Sequence, residues 1–499
     1  MAENIAHPYG RSKSLSCEMA SSPNDCWLIP IRCDVDQVVT IDVLPDDVLL
    51  ITFDFHVVGD EGFSIDISEF DNQVTKPWQS LVHVCRRWRC LVFGSPRRLD
   101  LRLFCTTRTP ATETLDIWPA FPLFIQGDVS ETSVDNVVAE LDLSNRIYQI
   151  ELNCYTTSQI EKVLTAMQVS FPELSHLYLS FRGVSHVPVL PDSFLGGSAP
   201  RLRYLACNSI PLPGLPKLLL SATHLVRIWL TIIPHSGYFS PEAMATCLSM
   251  LTSLETLQLE FESPQSYPDQ ESRRSPPPTR SILPALTRFW FKGVNEYLED
   301  LVARIDTPRL YELLITFFND IDFDTPELIL FITLTFGAPK AVHVVFESDV
   351  ARVKLQSPVS TAPNFVEVVV SCEVPDWQLS FLAQICTSSL PLLSATESLF
   401  IDDRLQLPLD GIENNEWLEL LLPFTAVKKL YLSEDLMPHI ARALQGLTGG
   451  RSTEVLPTLQ SLFLEGFQPS EPVHEGIRQF ISARQLTNRP VAISVWESD

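Results

Sequence analysis

A recurring unit of the form Pro-x-Leu-x-x-Leu-x-Leu constrains the fold of this chain more than any other feature of its sequence. One clear copy begins at Pro172 and reads Pro-Glu-Leu-Ser-His-Leu-Tyr-Leu, and a clear late copy begins at Pro457. Related copies begin at Pro200, Pro284 and Pro308. Proline cannot continue a preceding helix and favours an extended residue before it, so each unit predicts a short strand just downstream.

Weaker copies fill the intervals and extend the array from residue 145 to residue 490. They begin at Asn145, Thr223, Thr252, Pro339, Pro363, Ser394, Thr425 and Pro490. The spacing between successive starts stays between 23 and 33 residues. Self-similarity with such a period is the sequence signature of a solenoid, in which each repeat packs against its neighbours. An α/β sheet domain with coincident leucine patterns is the alternative.

Helical patterns occupy the segments between the predicted strands. They run over residues 157–170, 240–250, 295–305, 375–386 and 434–444. Ser240 followed by Pro241 is typical of a helix start, with serine as the N-cap and proline at the first helical position. The predicted fold class is therefore α/β, with parallel strands and helical or irregular return segments. Residues 262–281, rich in proline and serine, predict a surface loop within the array.

The composition restricts the class of ligand. The 499-residue chain has a formal net charge of −25, which argues against nucleic acid or an anionic membrane surface as the main ligand, because both need a basic face. No run of 18 apolar residues occurs, so no membrane-spanning helix is expected. The 11 cysteines are scattered without a C-x-x-C pair. This pattern favours free thiols in a reducing compartment and predicts a cytoplasmic or nuclear location.

A second informative stretch lies nearer the amino end, at residues 41–93. Pro45 suits the first position of a helix, and Asp46 and Asp47 place negative charge in its first turn. A second helix is predicted over residues 76–93, with one apolar face and one basic face. Two short helices cannot bury a core of their own, so their apolar faces need a partner or the rest of the chain.

These residues resemble the F-box, whose pattern is Leu-Pro, an aliphatic pair, a large apolar residue and then a helix of the form Leu…Val-Cys-Arg-x-Trp. The residues that carry the pattern here are Leu44, Pro45, Val48, Leu49, Phe53, Leu81, Val84, Cys85, Trp88 and Leu91. The resemblance implies that they bind a Skp-type adaptor, which ties the chain to a cullin scaffold. An acidic insertion at residues 59–75 departs from the family's usual three-helix pattern by lengthening the link between the helices.

Residues 145–496 loosely resemble the irregular leucine-rich repeats that follow the F-box in a large class of F-box proteins, many of them fungal. The usual Asn or Cys after Leu-x-x-Leu-x-Leu is mostly absent here. The predicted organisation is a disordered or loosely packed segment at 1–39, an F-box at 40–95, a transition at 96–144 and a leucine-rich-repeat-like solenoid at 145–499. Seven arginines and one acidic residue between Arg86 and Arg108 add a local basic island. It predicts either contact with an acidic partner or a solvated helix face.

The sequence contains no nucleophile elbow, P-loop, G-x-G-x-x-G or H-E-x-x-H motif. We therefore expect no enzyme activity, no cofactor and no metal. The resemblance implies a substrate-recognition subunit of an SCF-type ubiquitin ligase, in which the F-box binds the adaptor and the repeats bind a target protein. A non-catalytic repeat scaffold with a vestigial F-box and no ligase role is the alternative. The sequence does not name the target protein.

Overall fold

The fold is taken from a computed structural model. The residues it describes are 31–32, 38–39, 43–58, 77–96, 98–99, 101–107, 119–183, 188–264, 280–318, 325–347, 350–356, 365–371, 375–389, 391–403, 414–445, 447, 453–466 and 474–496. The chain divides into two compact units, Met1–Arg102 and Leu103–Asp499. The predicted segment at 1–39, the insertion at 59–75 and the loop at 262–281 lie wholly or mostly outside the described residues.

The first unit is helical. Its elements are strands β1 (Ile31–Arg32) and β2 (Val38–Val39) and helices α1 (Asp46–Val58), α2 (Pro77–Val82) and α3 (Arg86–Gly94). The two strands form a short antiparallel ladder. Asp46 and Asp47 occupy the first turn of α1, where their negative charge complements the helix dipole. We call α1, α2 and α3 the helical unit.

The prediction of a single helix over residues 76–93 is wrong, because α2 and α3 are separate helices. His83 and Val84 form the turn between them, and Cys85 has extended backbone at φ −157° and ψ 171° as the N-cap of α3. The Cys85 Sγ accepts a hydrogen bond from the backbone N–H of Trp88 at 3.5 Å. The helical spacing of apolar residues does not reveal the short break between α2 and α3, since apolar residues of both helices pack into the same core.

The second unit alternates strands and helices. Its strands are β3 (Leu103–Thr106), β4 (Leu123–Val129), β5 (Ile147–Cys154), β6 (His176–Phe181), β7 (Tyr204–Asn208), β8 (Arg227–Ile233), β9 (Thr256–Phe261), β10 (Ser281–Ile282), β11 (Arg288–Gly293), β12 (Ile305–Asp306), β13 (Glu312–Phe317), β14 (Ala341–Phe346), β15 (Val350–Gln356), β16 (Phe365–Ser371), β17 (Ser398–Asp403), β18 (Lys429–Leu432), β19 (Ser461–Glu465) and β20 (Ala492–Trp496). Strands β10 and β12 form a separate parallel pair. The other strands form one 16-stranded sheet.

Helices follow most of these strands. They are α4 (Val134–Leu141), α5 (Thr157–Ala166), α6 (Leu215–Leu219), α7 (Pro241–Leu248), α8 (Asn295–Val302), α9 (Pro326–Phe336), α10 (Pro375–Gln384), α11 (Asn414–Leu421), α12 (Met437–Gln445) and α13 (Glu475–Leu486). Shorter helical turns lie at Phe194–Gly197, His235–Gly237, Ile385–Ser389 and Pro391–Ala395. Helices of neighbouring repeats pack side by side along one face of the sheet, as α4 does on α5 and α12 does on α13.

Every predicted repeat start precedes a strand of the large sheet. In the copy at Pro172 the strand is β6, and its Leu177 and Leu179 have no exposed surface. Leu174, in the turn that leads into β6, is 1% exposed. Full burial of a leucine side chain contributes about 2 kcal/mol. The pattern Leu-x-x-Leu-x-Leu thus contributes three core residues in each complete copy. Because such copies recur along the sheet, the second unit is an irregular leucine-rich-repeat-like solenoid.

Some helix starts in this unit are satisfied by side chains. Ser240 Oγ accepts a hydrogen bond from the N–H of Ala243 at 3.2 Å, which confirms the predicted N-cap of α7. The start of α9 is capped by a different repeat, because Glu299 on α8 accepts from the N–H groups of Glu327 and Leu328 at 2.6 and 2.9 Å. Such a carboxylate stabilises the positive end of the helix dipole and joins two neighbouring repeats.

The sheet begins upstream of the repeat pattern. The segment predicted as a transition at 96–144 contributes β3, β4 and α4, and β4 pairs with both β3 and β5. Leu99 and Leu101 precede β3 and are buried outside it. Pro119 and Pro122 also precede their strand, β4, so neither has to donate to a sheet ladder.

The strand order follows the chain except in one region. There the order is β13, β16, β15, β14, β17, and β15 is antiparallel to both of its neighbours. The units predicted at Pro339 and Pro363 are therefore strands of the sheet but not consecutive coils. Strand β14 ends at Phe346 and β15 begins at Val350. So short a link closes an antiparallel hairpin, whereas parallel neighbours need a crossover of about a dozen residues or more.

Candidate protein-binding surfaces

The helical unit has a small core of its own. The ring centroids of Phe53 on α1 and Trp88 on α3 lie 4.7 Å apart, with the ring planes tilted by 59°. Leu49 and Phe53 are each 1% exposed, and Leu81 on α2 is 6% exposed. Residues four apart on α1 therefore face the other two helices and anchor α1 to them.

Arg87 joins the start of α1 to α3. Its Nη2 donates to Asp46 Oδ1 and to the backbone carbonyl of Leu44, both at 2.6 Å, and its Nε donates to the same carboxylate oxygen at 3.2 Å. Both charged side chains are partly exposed, so their ion pair contributes at most about 1 kcal/mol. The main consequence is geometric, because the Leu44-Pro45 turn is fixed against α3. Arg87 of the basic island is thus engaged within the unit, while Arg86 is exposed.

The ten residues predicted to bind an adaptor differ in exposure. Those buried within the chain are Leu49, Phe53 and Leu81. Those half-buried are Leu44, Cys85, Trp88 and Leu91. Those exposed are Pro45, Val48 and Val84. The buried residues shape the unit but offer no surface to a partner, whereas the exposed ones are accessible to it.

The predicted adaptor-binding residues do not include three exposed apolar residues of this unit. Val43, Ile51 and Phe55 are 69%, 49% and 78% exposed. Ile51 and Phe55 follow Val48 by three and seven residues, so these three share one face of α1, turned away from the buried face. An available signal is that α1 is apolar on both faces, which is typical of a helix covered on both sides. The exposed apolar set of the helical unit comprises Val43, Val48, Ile51, Phe55 and Val84.

In the second unit, alternate strand residues project to the side of the sheet opposite the helices, which we call the open face. Aromatic and histidine rings lie there in two series, on neighbouring strands except where Gln258 on β9 lies between Trp229 on β8 and Trp290 on β11. The first series consists of Tyr148, His176, Tyr204, Trp229 and Trp290. Successive ring centroids in this series are 5.7, 6.1, 5.5 and 6.3 Å apart. These rings form a loosely packed, partly exposed band.

The second series is more tightly stacked. His343, Phe400, Tyr431 and Phe463 are register partners on β14, β17, β18 and β19, and we call them the aromatic row. Successive centroids are 4.2, 4.1 and 4.4 Å apart, with planes within 10° of parallel. Trp496 on β20 meets Phe400 and Tyr431 edge-on at 6.1 and 5.7 Å. All five residues are half-buried, so the open face presents a continuous apolar surface there.

Charged side chains separate the two series. Arg352 on β15 pairs with Glu347 at 2.6 Å and with Glu367 at 2.9 Å. Trp290 Nε1 donates to Glu312 Oε1 at 2.8 Å. The middle of the open face is therefore polar, and the apolar surfaces lie on either side of it.

Most cysteine thiols of the described residues are buried. Burial raises the pKa of four thiols to about 12, those of Cys105, Cys154, Cys207 and Cys386. A thiol with so high a pKa is a poor nucleophile at neutral pH. Within the described ranges, no three His, Cys, Asp or Glu residues are grouped to hold a metal ion. Nor does any helix of those ranges have the length and apolarity needed to cross a membrane.

The similarity of this chain to known proteins is limited. No family model and no curated protein matches the chain. Among solved structures, the chain is similar to the crystal structure of the leucine-rich repeat-containing protein LegL7 from Legionella pneumophila. The sequence identity is 14%, the match covers 78% of this chain and 98% of that chain, and the TM-score is 0.26. The assignment of a leucine-rich-repeat-like fold rests on the strand register and burial of the chain itself.

Proposed function

We propose that the chain is a substrate-recognition subunit of an SCF-type ubiquitin ligase. The helical unit would bind a Skp-type adaptor, and the repeats would bind a target protein. The observation that carries the proposal is the exposed apolar set, which lies on a unit whose own core is already filled. Hydrated apolar surface of this kind is unfavourable and is typical of a protein-interaction site. The Leu44-Pro45 start and the three described helices agree with the F-box pattern.

The physical basis of adaptor binding is burial of one face of α1. Covering Val48, Ile51 and Phe55 contributes about 1.5–3 kcal/mol for each side chain that becomes fully buried. Association costs translational and rotational freedom, so a rigid face is favoured over a mobile one. Arg87 supplies that rigidity, because its bonds to Asp46 and Leu44 fix α1 against α3 before any partner arrives.

In this proposal the chain carries out no bond chemistry itself. Binding an adaptor at one unit and a target at the other raises the concentration of the target near the cullin-bound transfer machinery. The repeats suit target binding, because stacked repeats provide an extended binding surface.

A repeat scaffold with a vestigial F-box is the second candidate. It is favoured by the burial of Leu49, Phe53 and Leu81, since these motif residues already have a structural role within the chain. It predicts that no adaptor complex forms, which distinguishes it from the ligase subunit.

We expect the double variant Ile51→Asp/Phe55→Asp to lose capture of a co-expressed Skp-type adaptor by more than about a hundredfold. Two carboxylates in a desolvated interface each cost several kcal/mol, and both side chains are exposed in the free chain, so its fold is retained. Capture is measured by affinity purification of the tagged full chain and quantification of the adaptor that elutes with it.

Leu334→Asp is the matched control, because Leu334 is 69% exposed on α9 of the second unit. It should capture as much adaptor as the unmodified chain. Unchanged capture by the double variant, or no capture by the unmodified chain, would contradict the proposed docking face.

A further inference from the structure

We propose that the aromatic row holds an extended segment of the target protein that carries lysine or arginine side chains. This inference rests on the proposed target-binding role of the repeats and specifies the chemistry of the target. It is argued from three features of the same part of the open face: the rings themselves, the small residues beside them and the carboxylates beyond them.

Small side chains lie along one side of the aromatic row. Two residues before each of the four rings, towards the strand amino ends, lie Ala341, Ser398, Lys429 and Ser461, and Ala492 on β20 is the register partner of Ser461. Four of these five side chains are alanine or serine. A row of rings next to a row of small side chains makes a step in the open face. An extended backbone that crosses the strands can lie along this step with its side chains against the ring edges.

Carboxylates lie on the other side of the row. Asp402 and Glu465 follow Phe400 and Phe463 by two residues, which places them on the same face about 7 Å further along the strands. Glu434 and Asp435, both exposed, follow β18 directly. The basic side chains beside the row are Lys429, two residues before Tyr431, and Lys354, the register partner of His343 on β15. Neither lies beyond the rings, and Arg352, which does, is paired with Glu347 and Glu367. The electrostatic potential beyond the rings is therefore negative.

A lysine or arginine side chain fits this order of surfaces. Its aliphatic stem can cover the apolar rings, and its charged end then reaches the carboxylates beyond them. Cations are also attracted to aromatic rings, and the net charge of −25 favours the approach of a cationic segment. An acidic segment in the same place would meet like charge. Charge and shape thus favour a target segment that carries lysine or arginine side chains.

The test uses the purified full chain and two synthetic probes, an eight-residue alternating Ser-Lys peptide and the corresponding Ser-Glu peptide, both capped at their ends. Calorimetric titration at about 0.15 M salt, where distant charges are screened, should show the lysine peptide binding at least about tenfold more tightly than the glutamate peptide. Tyr431→Ala should weaken lysine-peptide binding at least about fivefold, because it interrupts the row at its centre. Asp402→Asn/Glu465→Gln should weaken it by a similar factor and leave the rings in place.

Glu161→Gln/Glu419→Gln is the matched control. It removes the same charge from exposed positions on α5 and α11, which lie on the helical side of the sheet. Affinity within about twofold of the unmodified chain is expected, since a binding site is local and net charge alone acts weakly over distance.

Equal binding of the two peptides would overturn the inference. So would lysine-peptide binding that the carboxylate variant and Tyr431→Ala leave unchanged, because the row would then be only a stack that stabilises the sheet. Adaptor capture is measured separately from peptide binding. A chain that captures the adaptor but ignores the lysine peptide contradicts this inference alone, whereas lysine binding without adaptor capture contradicts the ligase role alone.

Discussion

Glu140→Gln is expected to stabilise the chain at pH 8 by up to about 4 kcal/mol and to flatten the pH dependence of unfolding. Glu140 lies on α4 with no exposed surface. Its Oε1 accepts a hydrogen bond from Asn136 Nδ2 at 3.2 Å, and its Oε2 has no hydrogen-bond partner among the described residues. Burial raises the pKa of this carboxyl from 4.5 to about 8.

The sign of the pH effect follows from proton binding. Between about pH 4.5 and pH 8 the unfolded chain has released this proton while the folded chain retains it, so the folded state binds more protons. The free energy of unfolding therefore falls as the pH rises through this window. Glutamine is neutral at every pH and still offers an amide oxygen to Asn136. The two stability curves should meet at low pH and separate towards pH 8.

The measurement is urea-induced unfolding of the full chain and the variant at pH 5 and pH 8. Because repeat arrays unfold in parts, a probe of the first repeats is needed, such as hydrogen exchange of β4 and β5. Glu161→Gln on the neighbouring helix α5 is the control, since Glu161 is exposed, and its pH dependence should match that of the unmodified chain. Parallel pH curves for Glu140→Gln and the unmodified chain would refute the role given to Glu140.

Arg484→Ala should destabilise the last repeats by about 3 kcal/mol. Arg484 lies on α13 with no exposed surface, and its Nη2 donates to the backbone carbonyls of Pro457 and Leu459 at 3.2 Å each. These carbonyls belong to the Pro-x-Leu turn that leads into β19. Removing the guanidinium leaves a cavity and removes the hydrogen-bond donor of both carbonyls. Each of these effects lowers the free energy of unfolding. Thermal unfolding followed by circular dichroism measures the change.

Arg489→Ala is the matched control for this site. Arg489 is exposed and its Nη1 donates to the same Pro457 carbonyl at 2.9 Å, so its loss should cost less than about 1 kcal/mol. Similar melting temperatures for both variants would mean that burial of Arg484 does not decide the strength of this contact.

The repeat pattern predicts the strands well because it reports local physics. Proline before a strand and leucine at alternate positions within it have the same consequence in every coil, so Pro172 and Pro457 mark strands equally clearly. The permuted order of β14, β15 and β16 is different in kind. The short link explains the hairpin of β14 and β15, but the pairing of β16 with β13 and of β14 with β17 joins distant strands, and no local property of these strands specifies those partners.

The binding surfaces are less predictable, since the sequence shows which residues are apolar but not which face is covered. Leu49 and Val48 are neighbours on α1, yet Leu49 is 1% exposed and Val48 is 39% exposed. The aromatic row has a sequence signal that the repeat pattern alone does not use. Tyr431 and Phe463 each lie between two leucines at the same position of successive repeats. Such a position faces away from the core and stacks with its counterpart in the next repeat.

The most direct test of the central claim is hydrogen–deuterium exchange of the full chain with and without a purified Skp-type adaptor. The proposal predicts that exchange slows in α1, around Val48, Ile51 and Phe55, and in the turn at Val84, because a partner covers these residues. The strands of the solenoid should be unaffected. A stable adaptor complex that protects the open face of the sheet instead, or no protection of α1 at saturating adaptor, would contradict the account.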